Sequence, residues 1–117
     1  MRYTVQGYGD LASPQYDGGL KSGIHNPIGF ETLDDALLWL KAWASEKDTD
    51  PKEGGSRYSK IDLEDDRILI REFLDSGHSK VVWHFSGWHW NNDEFGLPQG
   101  TFPGDTKSVY AILSEEY

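Results

Sequence analysis

The sequence predicts an α+β fold, an antiparallel sheet of about four to five strands with one main helix packed on it. Residues 32–47 repeat their apolar side chains at helical spacing, while several shorter stretches alternate apolar and polar residues between turns rich in glycine and proline. Five Trp, six Tyr and five Phe in 117 residues supply the apolar mass of a core that needs no disulfide. One domain spanning residues 1–117 is expected.

The elements follow in order. Arg2 to Tyr8 forms a short strand. Gly9, Gly18, Gly19, Gly23 and Gly29, with Pro14 and Pro27, then mark a long irregular connection. Thr32 followed by Asp35 has the form of a capping box, and Leu33, Ala36, Leu37, Leu40 and Ala44 recur with the helical period. Glu31, Asp34 and Asp35 at its start and Lys47 at its end suit the helix dipole. Residues 48–55, rich in breakers, end the helix in an exposed turn. Ile61 and Leu63 alternate with Asp62 and Glu64, Ile68 and Ile70 follow Asp65-Asp66, and Val81, Trp83 and Phe85 alternate with Lys80, Val82 and His84. These make two or three antiparallel strands, with a hairpin turn at Asp75-Ser76-Gly77-His78. Trp88 to Asp105 is a second irregular segment. Lys107 to Leu113 mixes Val109, Tyr110, Ala111 and Ile112 without alternation, which predicts a strand apolar on both faces and central in the sheet.

Charge narrows the function. Twenty Asp and Glu stand against eleven Lys and Arg, a formal net charge of −9, which favours cationic partners and disfavours nucleic acid and anionic membrane. The absence of cysteine excludes disulfides and thiolate metal sites and is compatible with a reducing cytoplasm. The N-terminal residues do not resemble a signal peptide, and the longest mostly apolar run, Ala36 to Ala44, is far short of the roughly 20 residues that span a bilayer. A soluble, cytoplasmic protein is expected.

Two segments hold the candidate functional residues. In Asp62-Leu63-Glu64-Asp65-Asp66 a strand conformation sets Asp62 and Glu64 on one face, about 6.7 Å apart, with two more carboxylates at the turn. Duplex DNA carries a charge for roughly every 1.7 Å of axis, and a row of carboxylates competes for the basic groove that binds it. Asp48, Asp50 and Glu53 after the helix, and Glu31, Asp34 and Asp35 before it, extend the row if the loops converge. The solvated face of an ordinary soluble domain is charged too, so no single pair is diagnostic. Neither acidic run is an EF-hand: counted from Asp48 the twelfth residue is Ser59, and from Asp62 it is Phe73, where the motif needs Glu.

The second segment, Trp83 to Asn92, holds three of the five Trp and two of the four His. Trp83 and Phe85 share a strand face and belong to the core. Trp88 and Trp90 are candidate platforms for a sugar. Direct nucleic-acid binding lacks its basic stripe. His84 and His89 form a weak metal pattern without cysteine, and His89 with Asp93 or Glu94 is the one imaginable catalytic pair. No nucleophile motif, phosphate loop or HExxH is present, so no enzyme activity, cofactor or metal is expected.

In size, acidity and the carboxylates of Asp62, Glu64, Asp65 and Asp66 with Asp48, Asp50 and Glu53, the chain resembles the small bacterial and phage DNA-mimic proteins. The resemblance implies a monomeric, non-enzymatic competitor that occupies the DNA-binding surface of an HU-like nucleoid protein or another basic DNA-binding protein. The other classes are an immunity protein that inhibits a basic nuclease with the same acids, and a carbohydrate-binding domain built on Trp88 and Trp90.

Overall fold

The computed structural model describes residues 2–12, 27–45, 58 and 60–116. Strands β1 (Tyr3–Tyr8), β2 (Ile28–Phe30), β3 (Arg67–Phe73) and β4 (Ser79–Ser86) form one antiparallel sheet in the order β2-β1-β3-β4. Helix α1 spans Leu33–Ser45 and α2 spans Val109–Glu116. This is the small α+β fold that the periodicities predict.

Pairing sets the two faces of the sheet. Val5 lies opposite Ile70 and Ile70 opposite Trp83; Gly7 lies opposite Ile68 and Ile68 opposite Phe85. Side chains directly opposite share a face. These rows are therefore one apolar surface, and Val5, Ile68, Ile70, Trp83 and Phe85 are buried on it with Ala36, Leu40 and Ala44 of α1 and Val109, Ile112 and Leu113 of α2. Phe102 stacks on Trp83 at 5.3 Å and meets the edge of Tyr58 at 5.1 Å. Helix α1 starts as its sequence indicates, with the Asp35 N–H donating to Thr32 Oγ1 at 3.1 Å. Its buried residues repeat every fourth position, which lays one narrow stripe on the sheet.

The turn between β3 and β4 matches expectation. Leu74 N–H donates to the His78 carbonyl, Gly77 N–H to the Leu74 carbonyl, and Gly77 takes φ of 87°.

Two expected strands are not strands. Lys107 to Leu113, expected at the centre of the sheet, lies mostly in α2, and β1 and β3 take the central positions. Ser108 starts the helix, its hydroxyl accepting from Ala111 N–H at 3.1 Å and its carbonyl from Ile112 N–H at 3.0 Å. Val109, Ile112 and Leu113 are spaced i, i+3, i+4 and all point to the core. The missing alternation was a helical period, disguised by β-branched residues.

Ile61 to Glu64, expected as a strand, is a turn. Short acidic side chains take over its backbone: Asp62 Oδ1 accepts from Glu64 N–H at 2.7 Å, and Asp66 Oδ2 from Asp62 N–H at 2.8 Å. Ile61 anchors the turn in the core, fully buried. Asp62 and Glu64 therefore do not line one face of a strand. Among the described residues, no helix is long and apolar enough to cross a membrane.

Candidate functional site

The second face of the sheet is polar, and the segment after β4 covers it. Tyr8, Arg67 and Ser86 form one row and Gln6, Leu69 and His84 the next. Arg67 and His84 are buried, yet each is satisfied. Arg67 lies between Trp90 and Phe95, 4.8 and 4.6 Å from their ring centres. It donates from Nε to Ser86 Oγ at 3.0 Å and from Nη2 to the Asn91 carbonyl, and pairs with Glu94 at 2.8 Å. His84 Nε2–H donates to the Leu97 carbonyl, and its Nδ1 lies 3.0 Å from Ser86 Oγ. The segment is also tied to the exposed edge of β4. Gly100 N–H donates to the His84 carbonyl, and the Gln99 amide accepts from Ser86 N–H and donates to the Ser86 carbonyl, as a neighbouring strand would.

At the Tyr8–Arg67 end of the sheet this cover meets the acidic turn. Gly87 N–H donates to the Asp66 carbonyl at 2.8 Å, Trp88 N–H to Leu63 at 2.9 Å and His89 N–H to Glu64 at 3.0 Å. The Trp90 indole donates to the Asp65 carbonyl at 2.8 Å, and His89 Nδ1–H to Asp65 Oδ1 at 2.5 Å. Two glycines make the approach possible. A Cβ on Gly87 would stand 2.5 Å from the Glu64 carbonyl oxygen, and one on Gly9, itself at φ of 75°, 2.7 Å from that of Asp65. The two segments singled out separately in the sequence are thus one surface.

Each expected site residue has a distinct fate. Asp62, Glu64 and Asp65 are exposed at the turn. Asp66 is 3% exposed and turned inward to the Asp62 amide, so it is a structural brace and no part of an acidic row. Asp48, Asp50 and Glu53 lie outside the described residues. Trp88 is 51% exposed, whereas Trp90 is packed on Arg67 and edge-on to Tyr8 at 6.1 Å. The two tryptophans do not form a paired platform. His89 meets Asp65 and not Asp93 or Glu94, and His84 is buried away from it, so neither the imagined catalytic pair nor a His84–His89 metal pair is assembled. Sequence reasoning missed Gly87 and Gly9, and the only signal of their role is that a glycine sits beside the end of each strand.

Charge pairing differs between the two ends of the sheet. At the far end Glu72 is bonded to Arg2 and Tyr3 and faces Lys80 at 3.7 Å; the Arg2 guanidinium first, then the Tyr3 hydroxyl, hold its carboxyl below the usual range. At the near end, Asp62 and Glu64 have no cationic partner among the described residues, and Asp65 has only His89. The turn therefore carries negative charge that no cation among the described residues offsets beyond His89. No protein-family model, curated protein or solved structure matches the chain.

Proposed function

We propose that the chain is a non-enzymatic acidic protein that binds the basic DNA-binding surface of a partner, an HU-like nucleoid protein or a related DNA-binding protein, and excludes DNA from it. The observation that carries this reading is the exposure of Asp62, Glu64 and Asp65 in one turn, fixed by backbone hydrogen bonds beside the exposed ring of Trp88. Carboxylates supply attraction to a basic groove, and an exposed tryptophan at their margin supplies the desolvated anchor typical of protein interfaces. Compared with the expected row, the contact is smaller: three acids and one ring.

Holding the acids on a braced turn reduces the ordering cost of binding. A carbohydrate platform has less support, because Arg67 occupies a face of Trp90 and leaves Trp88 as a single open ring. An immunity protein against a basic nuclease would use the same surface, and the test separates the two.

The test is a gel-shift competition with purified HU-like protein and duplex DNA. The chain is expected to release the DNA, less effectively as salt shortens the screening length from about 10 Å at 0.1 M toward about 3 Å at 1 M. The triple variant Asp62→Asn, Glu64→Gln, Asp65→Asn should lose the effect while staying folded. Equal competition by the triple variant refutes the assigned surface. Inhibition of a nuclease without DNA release transfers the acids to the immunity role.

A further inference from the structure

Glu64, Asp65 and His89 each place one ligand atom within 4.8 Å of the others, and all three side chains are exposed. We infer that these residues form a binding site for a borderline divalent transition ion such as zinc. The donor set is one imidazole and two carboxylates, a combination that selects zinc and its first-row neighbours over magnesium and calcium, which prefer oxygen alone. The imidazole distinguishes the site from the other acids of the chain: Glu31, Asp34 and Asp35 gather near the start of α1 with no histidine among them.

Three features make the arrangement suited to an ion. First, the ligands come from segments 24 or 25 residues apart, Glu64 and Asp65 from the turn and His89 from the β4 exit, and backbone bonds from Trp88 and His89 to Leu63 and Glu64 fix their separation. Second, the Glu64 carboxylate has no hydrogen bond or ion pair among the described residues, so its coordinating capacity is unspent. Third, Asp65 already holds the His89 ring at 2.5 Å. Donors about 2.1 Å from one ion stand about 3.4 Å apart in a tetrahedron, so the Asp65–His89 pair opens and the wider contacts close by side-chain rotation. On binding, the Asp65–His89 hydrogen bond is replaced by coordination of both groups, and water carries the proton from Nδ1 to Nε2, so that the ring binds as a neutral imidazole. Three protein ligands leave a position for water or for a donor from outside the chain.

The site shares Glu64 and Asp65 with the proposed partner surface, but its test uses zinc alone and needs no partner. Zinc chloride alone is titrated into the full chain by calorimetry, with tryptophan emission followed in parallel, since the Trp88 ring lies 4.1 Å from the His89 ring. One ion per chain is expected, with a change in emission. His89→Ala and Glu64→Gln should each weaken binding at least tenfold, and Asp34→Asn should leave it unchanged. His89 and Glu64 are exposed, so unaltered circular dichroism is expected in both variants. Zinc binding that survives His89→Ala, or that magnesium reproduces equally, is counter-ion attraction to the acidic turn and overturns the site. Absence of zinc binding to the folded wild-type chain overturns it as well.

Discussion

Replacing Gly87 with alanine tests whether the acidic turn and the aromatic segment are one unit. The added Cβ would stand 2.5 Å from the Glu64 carbonyl oxygen, 2.7 Å from its carbon and 2.8 Å from the Leu63 oxygen. All three are backbone atoms that cannot rotate away, so the two segments must separate. Separation breaks the bonds from Gly87, Trp88 and His89 to Asp66, Leu63 and Glu64. At about 0.5–1.5 kcal/mol for each hydrogen bond, losing all three costs about 1.5–4.5 kcal/mol. Urea unfolding measures the loss. Gly77→Ala is the comparison: its Cβ meets nothing within 4 Å, and its cost is only the left-handed backbone, about 1–2 kcal/mol. Gly87→Ala should also diminish DNA competition even where the protein remains folded, because the carboxylates lose their fixed geometry. A Gly87→Ala protein with wild-type stability and wild-type competition would refute the unit.

The remaining predictions concern the core, the second helix, the far end of the sheet and Trp88. Leu40→Ala, in the buried stripe of α1, should cost about 2–5 kcal/mol by chemical denaturation. Ser108→Ala should cost about 0.5–2 kcal/mol if Val109–Glu116 is a capped helix; a strand there would show no such sensitivity. The Glu72 carboxyl is lowered by Arg2 and Tyr3, so its contribution to stability is complete above the ordinary glutamate range and disappears as pH falls through the lowered value. Glu72→Gln should therefore destabilise the protein at neutral pH and converge with wild type in acid, as thermal unfolding across pH would record. Trp88→Ala, with half its ring already in water, should leave stability within about 0.5 kcal/mol and weaken partner binding by about 2 kcal/mol or more in competition assays.

What the sequence disclosed depended on the range of the interactions. Helix α1, the β3–β4 hairpin and the burial of Trp83 and Phe85 follow from local spacing and turn chemistry, and the structure bears them out. The segment 107–113 failed although its signals are local, the Ser108 cap and the i, i+3, i+4 spacing of Val109, Ile112 and Leu113, because the strand propensity of Val109, Tyr110 and Ile112 masked them. The 61–64 segment failed for a local reason: its aspartates bond their own backbone, and apolar alternation alone does not register that competition. The union of the acidic turn with Trp88 and His89 was illegible, since its bonds join residues 24 or 25 apart.

The polar face of the sheet explains what holds this union in one arrangement. Were Arg67 replaced by an apolar residue, Trp90 and Phe95 could still pack, but Glu94, Ser86 and the Asn91 carbonyl would lose the cation that joins them. Glu94 is half exposed and would return to water, but the buried Ser86 hydroxyl would lose its donor, which costs free energy. Arg67 thus specifies one arrangement of the 88–95 segment, and that segment holds the acidic turn through Trp90 and His89. Arg67 itself is paired with Glu94 in the cover and not with the acids of the turn. The same device leaves Asp62, Glu64 and Asp65 facing outward with little internal compensation, which is the electrostatic condition that binding a cationic partner requires.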